Sequence, residues 1–124
     1  MKKFFKTKLI SRDKRGDFKN IFNDSFKNLS IIFSKKNSIR SNHYHLIDSH
    51  YIYVFSGKMI YYYKKLNSKS KINKKTLKTG DIVYTPPLEI HATIFSEDTT
   101  IIVASKYPRS KKFYEKDTKK YNLI

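Results

Sequence analysis

The chain has 124 residues, 27 Lys and Arg against 10 Asp and Glu, a formal charge of +17 and no cysteine. That length supports one hydrophobic core, so a single domain over residues 1–124 is expected; 39% hydrophobic content argues against a disordered chain, and the missing thiols exclude disulfides and thiolate ligands. The charge alone raises nucleic acid as a partner, but Lys dominates over Arg and is spread through residues 2–8, 64–78 and 106–120, as AT-rich coding would spread it, so no specific nucleic-acid partner is expected.

In chain order, the start from Met1 to Lys8 is basic, but Lys6, Lys8, Arg12 and Asp13 interrupt any apolar stretch, and no long apolar run follows. A cytoplasmic protein with no membrane partner is the expectation. Asp13 to Phe18 reads as a β-bulge or hairpin. Short β-rich runs then dominate: 29–34, 43–45, 50–56, 58–64, 72–77, 82–85, 91–96 and 100–105. Their β-branched and aromatic content, and the scarcity of helical periodicity, predict an all-β sandwich or barrel. Ser56-Gly57-Lys58 reads as a tight hairpin turn and Thr79-Gly80-Asp81 as another turn. The polar stretch Lys64–Lys78 reads as a solvated excursion between strands. The tail, residues 106–124, reads as a solvated or partner-packed segment whose charges carry no functional meaning.

All four histidines fall into one spaced pattern: His43, His45 and His50 lead to Gly57, and His91 follows Gly80 and Pro86. Period-2 geometry puts His43 and His45 on one face, and His50 with Ile52 and Val54 on one face of the next run. Imidazole is the commonest transition-metal side-chain ligand, so His43, His45, His50 and His91 form a candidate metal set. Nitrogen donors suit Zn, Fe, Mn, Ni, Co or Cu rather than Ca or Mg. Glu89, two residues from His91, is a weaker candidate base. Tyr44, Tyr53 and Tyr84 are weak candidates to line a binding pocket, and Arg40 is a candidate phosphate or carboxylate clamp.

The spacing around His43, His45 and Gly57 (residues 38–57) resembles the first cupin motif, with His50 at its acidic position. Gly80, Pro86 and His91 (residues 80–95) resemble the second, with Leu88 where glycine is common. The opening glycine of the first motif is missing. The resemblance implies an antiparallel double-stranded β-helix, a jelly-roll barrel, with a metal held inside by the histidines.

A second resemblance covers more of the chain. Asp13-Lys14-Arg15-Gly16-Asp17-Phe18 is similar to the D-x-R-G-x-F opening of dTDP-4-dehydrorhamnose 3,5-epimerases. Arg40-Ser41-Asn42-His43-Tyr44-His45 is similar to their R-G-L-H-Y segment and to the R-G-x-H-A-H segment of sugar-nucleotide 3,4-ketoisomerases. It implies an isomerase or epimerase of a nucleotide-linked keto-sugar in surface polysaccharide synthesis. Arg40 would face a diphosphate oxygen, His43 would be the base, and His45 would complete a histidine pair. The epimerases' acid tyrosine falls near Val103, so that proton donor is missing. A histidine bound to metal through its lone pair cannot also be the base, so the catalytic reading of His43 and His45 requires a metal-free site. A metal-dependent dioxygenase and a non-catalytic sugar-binding module are the alternatives. A homodimer is expected because small cupins often pair their sheets.

Overall fold

The computed structural model describes residues 2–67 and 69–124; Met1 of the basic start and Ser68 of the Lys64–Lys78 excursion lie outside the described residues. The strands are β1 (Phe4–Lys6), β2 (Lys8–Asp13), β3 (Gly16–Asn20), β4 (Asn28–Ser34), β5 (Ile39–His45), β6 (His50–Ser56), β7 (Lys58–Lys65), β8 (Asn73–Lys78), β9 (Asp81–Thr85), β10 (Glu89–Phe95), β11 (Thr99–Ser105) and β12 (Thr118–Lys120). The one helix among the described residues, α1 (Lys111–Asp117), is far too short to cross a membrane.

Two five-stranded sheets carry the fold, ordered β1-β9-β6-β11-β4 and β12-β5-β10-β7-β8, with every pairing antiparallel. This is the expected jelly roll. Between the sheets, Ile52, Val54, Met59, Tyr61, Leu77, Val83, Phe95 and Ile101 form one buried cluster. Period 2 explains its membership: Ile52 and Val54 face in from β6, and Met59 and Tyr61 from β7. Burying each such side chain contributes about 2 kcal/mol, which fixes strand register wherever one face is covered.

Gly57 does not make a hairpin. β6 and β7 belong to different sheets, and Gly57 carries the chain between them at φ +112°. A Cβ there would lie 2.5 Å from Thr99 Oγ1 and 2.6 Å from the Asp98 carbonyl, so close approach as well as φ requires glycine. Gly80 likewise hands β8 to β9 across the sheets.

Two features leave apolar surface uncovered. β4 is an edge strand whose outward residues Leu29, Ile31 and Phe33 are 60%, 71% and 55% exposed. β2 and β3 pair only with each other, forming a two-stranded ribbon with Ile10 and Phe18 exposed. Its tip is held by Arg12–Asp17 and Arg15–Asp13 ion pairs, so the Asp13–Phe18 segment is a hairpin end.

The tail packs on this chain's own barrel rather than forming the expected solvated or partner-packed segment. Ser110 caps α1 by accepting a hydrogen bond from Phe113 N, and β12 adds to the edge of β5. Asn42 holds the last residues, its Oδ1 accepting from Leu123 N and Ile124 N.

Candidate functional site

β5 carries a bulge that builds one wall of the site. Ser41 and Asn42 have φ of +73° and +58°, and the pairing with β10 shifts between His91 and Ala92. The extra residue changes strand parity, so Arg40, His43 and His45 all face the same cavity. Ser41 stands where the related segments have glycine, and asparagine tolerates this conformation better than most residues. Leu88, at the other glycine-associated position, also has a positive φ of 67°.

His43 and His91 lie directly opposite one another in the β5–β10 pairing. Their rings are 4.8 Å apart, as are those of His43 and His45. One donor atom from each of His43, His45 and His91 lies within 4.8 Å of the others. His50 enters from the facing sheet; its ring is 5.5 Å from both His45 and His91, beside that donor group but outside it.

Two of the rings are held by polar neighbours. His91 Nδ1 is 3.0 Å from the Glu89 carbonyl oxygen, Tyr61 stacks on the ring, and His91 Nε2 is buried with no hydrogen-bond partner. His45 Nδ1 sits 3.3 Å from Asp117 Oδ2 and 3.2 Å from Thr118 Oγ1. Burial is the main force on their protonation. It lowers His43 to about 4 and His91 to about 3, with neighbouring imidazoles adding to the effect. His50 is pushed well down by the same causes, and His45 is lowered by burial against the opposing pull of Asp117. All four imidazoles are therefore neutral at pH 7, with lone pairs available for a proton or a metal.

The cavity in front of them encloses about 170 Å³. Arg40, Asp48, Arg109, Tyr114 and Asp117 also line it. Phe113, Tyr114 and Asp117 share one helical face, which turns these side chains inward. Tyr114's ring stands 6.3 Å from His43 and 6.2 Å from His45, with the Arg109 guanidinium 4.4 Å from its centre. Asp117 is 4% exposed and also accepts a hydrogen bond from Ile47 N at 2.8 Å.

Several candidates fall elsewhere. The Glu89 carboxylate is taken by Lys3 and by the Tyr61 hydroxyl at 2.7 Å, and it does not line the cavity, so it offers no free base there. Tyr44 lies on the opposite face of β5 from the histidines, packed near Ile90, Ala92 and Leu123. Tyr53 has Phe55 as its ring neighbour on the outer side of β6, and Tyr84 lines a separate depression with Tyr51. Alternation decides all three: each is one residue out of phase with its inward neighbours. Arg40 does reach the cavity, with Nε donating to Ser34 Oγ at 2.7 Å.

Sequence reading missed Asp117, Tyr114 and Arg109. The available signal was local: Ser110 two residues after Pro108, followed by Phe113, Tyr114 and Asp117 at helical spacing.

The family model described as Cupin matches residues 19–115. No curated protein sequence matches the chain. Among solved structures, dTDP-4-dehydrorhamnose 3,5-epimerase from Sulfolobus tokodaii superposes with a TM-score of 0.75 at 20% identity, covering 94% of this chain and 74% of that one. QdtA, a sugar 3,4-ketoisomerase from Thermoanaerobacterium thermosaccharolyticum in complex with TDP, gives 0.71 at 20% identity, covering 94% and 85%. The capsular polysaccharide assembling protein CapF from Staphylococcus aureus gives 0.72 at 19% identity, covering 96% of this chain and 33% of that one. At these identities the likeness establishes the shared fold.

Proposed function

We propose, for a chain that belongs to the cupin family, that the histidine-lined cavity binds a nucleotide-linked keto-sugar and moves a proton at the carbon beside its carbonyl. The observation that carries this reading is the buried His45–Asp117 pair at 3.3 Å, with His43 next to it. A neutral imidazole oriented by a carboxylate through its other nitrogen is the arrangement of a general base. Asp117 also stabilises the imidazolium that forms when the proton arrives. This makes His45 the oriented base and His43 its partner. Arg40 and Arg109 line the same cavity and supply cations for a diphosphate at its mouth. A place in surface polysaccharide synthesis fits that substrate class and the activities named for the structural neighbours. The test is incubation with dTDP- and UDP-linked 4-keto-6-deoxyhexoses in deuterated water. Carbon-bound deuterium beside the carbonyl is expected; its absence with every substrate refutes the reading, and binding without exchange would identify a non-catalytic module.

A second reading has its own observation. His91 Nε2 is buried and unpartnered, and it belongs to the three-imidazole donor group, so these residues fit a divalent transition metal. His43, His45 and His91 would hold it, and His50 would stand alongside. Such a metal supplies Lewis acidity toward a carbonyl or, if redox-active, the capacity for a dioxygenase reaction. The two readings compete for the same lone pairs. Elemental analysis of protein purified without added metal separates them: about one metal per chain, lost in His91→Ala, favours the metal centre, and metal-free protein that still exchanges deuterium favours the histidine base.

The protein also acts as a homodimer in this reading. A lone two-stranded ribbon is marginally stable, and an apolar edge strand invites pairing. A second copy related by a two-fold axis and packed on the β4 edge covers its exposed Leu29, Ile31 and Phe33. Sedimentation of wild type and Ile31→Lys tests this. A dimer that the substitution dissociates is expected; a monomeric wild type refutes it.

A further inference from the structure

Proton transfer at carbon needs an acid as well as a base, and the cavity walls narrow the choice. Val103, Ile32, Ile52 and Ile101 offer no proton. The Ser110 hydroxyl oxygen caps the helix, and Asp117 is taken by His45 and the Ile47 amide. Asp48 accepts from the amides of Ser49 and Tyr107. Tyr114 is the phenol among the groups that line the cavity: it stands beside both His43 and His45, and its hydroxyl makes no hydrogen bond to the protein among the described residues. A phenol is also far more acidic than the serine and threonine hydroxyls nearby. The Arg109 guanidinium lies 4.4 Å from the ring centre and fixes the ring against the cavity wall.

We infer that Tyr114 is the proton donor of this site, a catalytic role that rests on the keto-sugar reading. The imidazole takes the proton from the carbon beside the carbonyl, the C–H electron pair becomes the C=C bond of an enediolate, and the carbonyl π pair moves onto its oxygen. The enediolate then takes the Tyr114 proton at carbon as the O–H bond breaks, and its C–O bond returns to a carbonyl. The phenolate regains a proton from the imidazolium through water, so nothing is oxidised or reduced. Tyr114 reaches the site from α1, whereas the resemblance to the epimerases puts their donor near Val103.

Tyr114→Phe keeps the ring and its contact with Arg109 and removes only the donor. In deuterated water with dTDP- or UDP-linked 4-keto-6-deoxyhexoses, the variant is expected to form isomerised product at least ~100-fold more slowly than wild type. It should still place deuterium in the recovered substrate at nearly the wild-type rate, because base and enediolate are intact. That exchange shows that the variant is folded and binds. Product formation within about tenfold of wild type, or parallel loss of exchange and product, overturns the assignment. A wild-type chain that exchanges nothing instead refutes the keto-sugar reading itself, and this assignment with it.

Discussion

Acidification should unfold this protein through its histidine cluster before most carboxylates titrate. Burial holds His43 at about 4 and His91 at about 3, while the unfolded chain returns each to its ordinary value of 6.5. Between those values the unfolded state binds the proton and the folded state does not. The stabilisation is therefore complete above 6.5 and is lost as pH falls toward the folded values. From pH 7 to pH 5 the linkage for His91 amounts to about 2 kcal/mol, with somewhat less for half-buried His43, so about 3–4 kcal/mol together. His50 and His45 act in the same direction, and Asp48, raised by its burial, partly offsets them at lower pH. A loss of that size is a large part of a typical domain's total stability. Urea denaturation followed by circular dichroism at pH 7, 6 and 5, with chelator present, measures it. His91→Asn should lower the slope of stability against pH by about one proton's worth, about 1.4 kcal/mol per unit. Stability that is flat or rises from pH 7 to pH 5 would refute the reasoning.

Three further substitutions have defined outcomes. Gly57→Ala should cost about 3 kcal/mol, because its Cβ meets the Thr99 side chain and the Asp98 carbonyl; Gly80→Ala, with only Thr7 Oγ1 at 3.8 Å, should cost clearly less, and thermal melts rank them. Ser41→Gly should raise stability by about 0.5–1 kcal/mol by relieving its left-handed backbone, and a lower melting temperature would contradict the strain. Asp117→Asn preserves shape and removes the charge beside His45, so deuterium exchange into substrate should fall about 100-fold or more, against an unchanged rate if Asp117 only braces the loop.

The eight strands from β4 to β11 were legible because β-branched and aromatic runs alternate between turn residues, and burial follows that alternation. The four histidines were legible because two motifs place them on strands that this fold brings together. What failed was information that a local pattern does not carry. The Gly57 turn reads the same whether it closes a hairpin or changes sheets, since only long-range pairing settles which. β12 is three residues of Thr and Lys, a strand made by the exposed edge of β5 rather than by its own propensity. Tyr44 and Glu89 lie close in sequence to ligand-type histidines, but alternation and the Lys3 side chain take them elsewhere. Asp117 meets His45 from the far side of the chain, and a Lys-rich tail hides one buried carboxylate among many solvated charges.

The placement of α1 has a consequence for how this protein becomes competent during synthesis. Arg109, Tyr114, Asp117 and Thr118 are translated after all eleven strands that precede β12. The strands that carry all four imidazoles therefore precede the roof over them in the order of synthesis. A stop codon or frameshift shortly before residue 109 would remove the carboxylate beside His45 and the ring beside both His43 and His45, and would strip β12 from the edge of β5 and Leu123 from its apolar cluster.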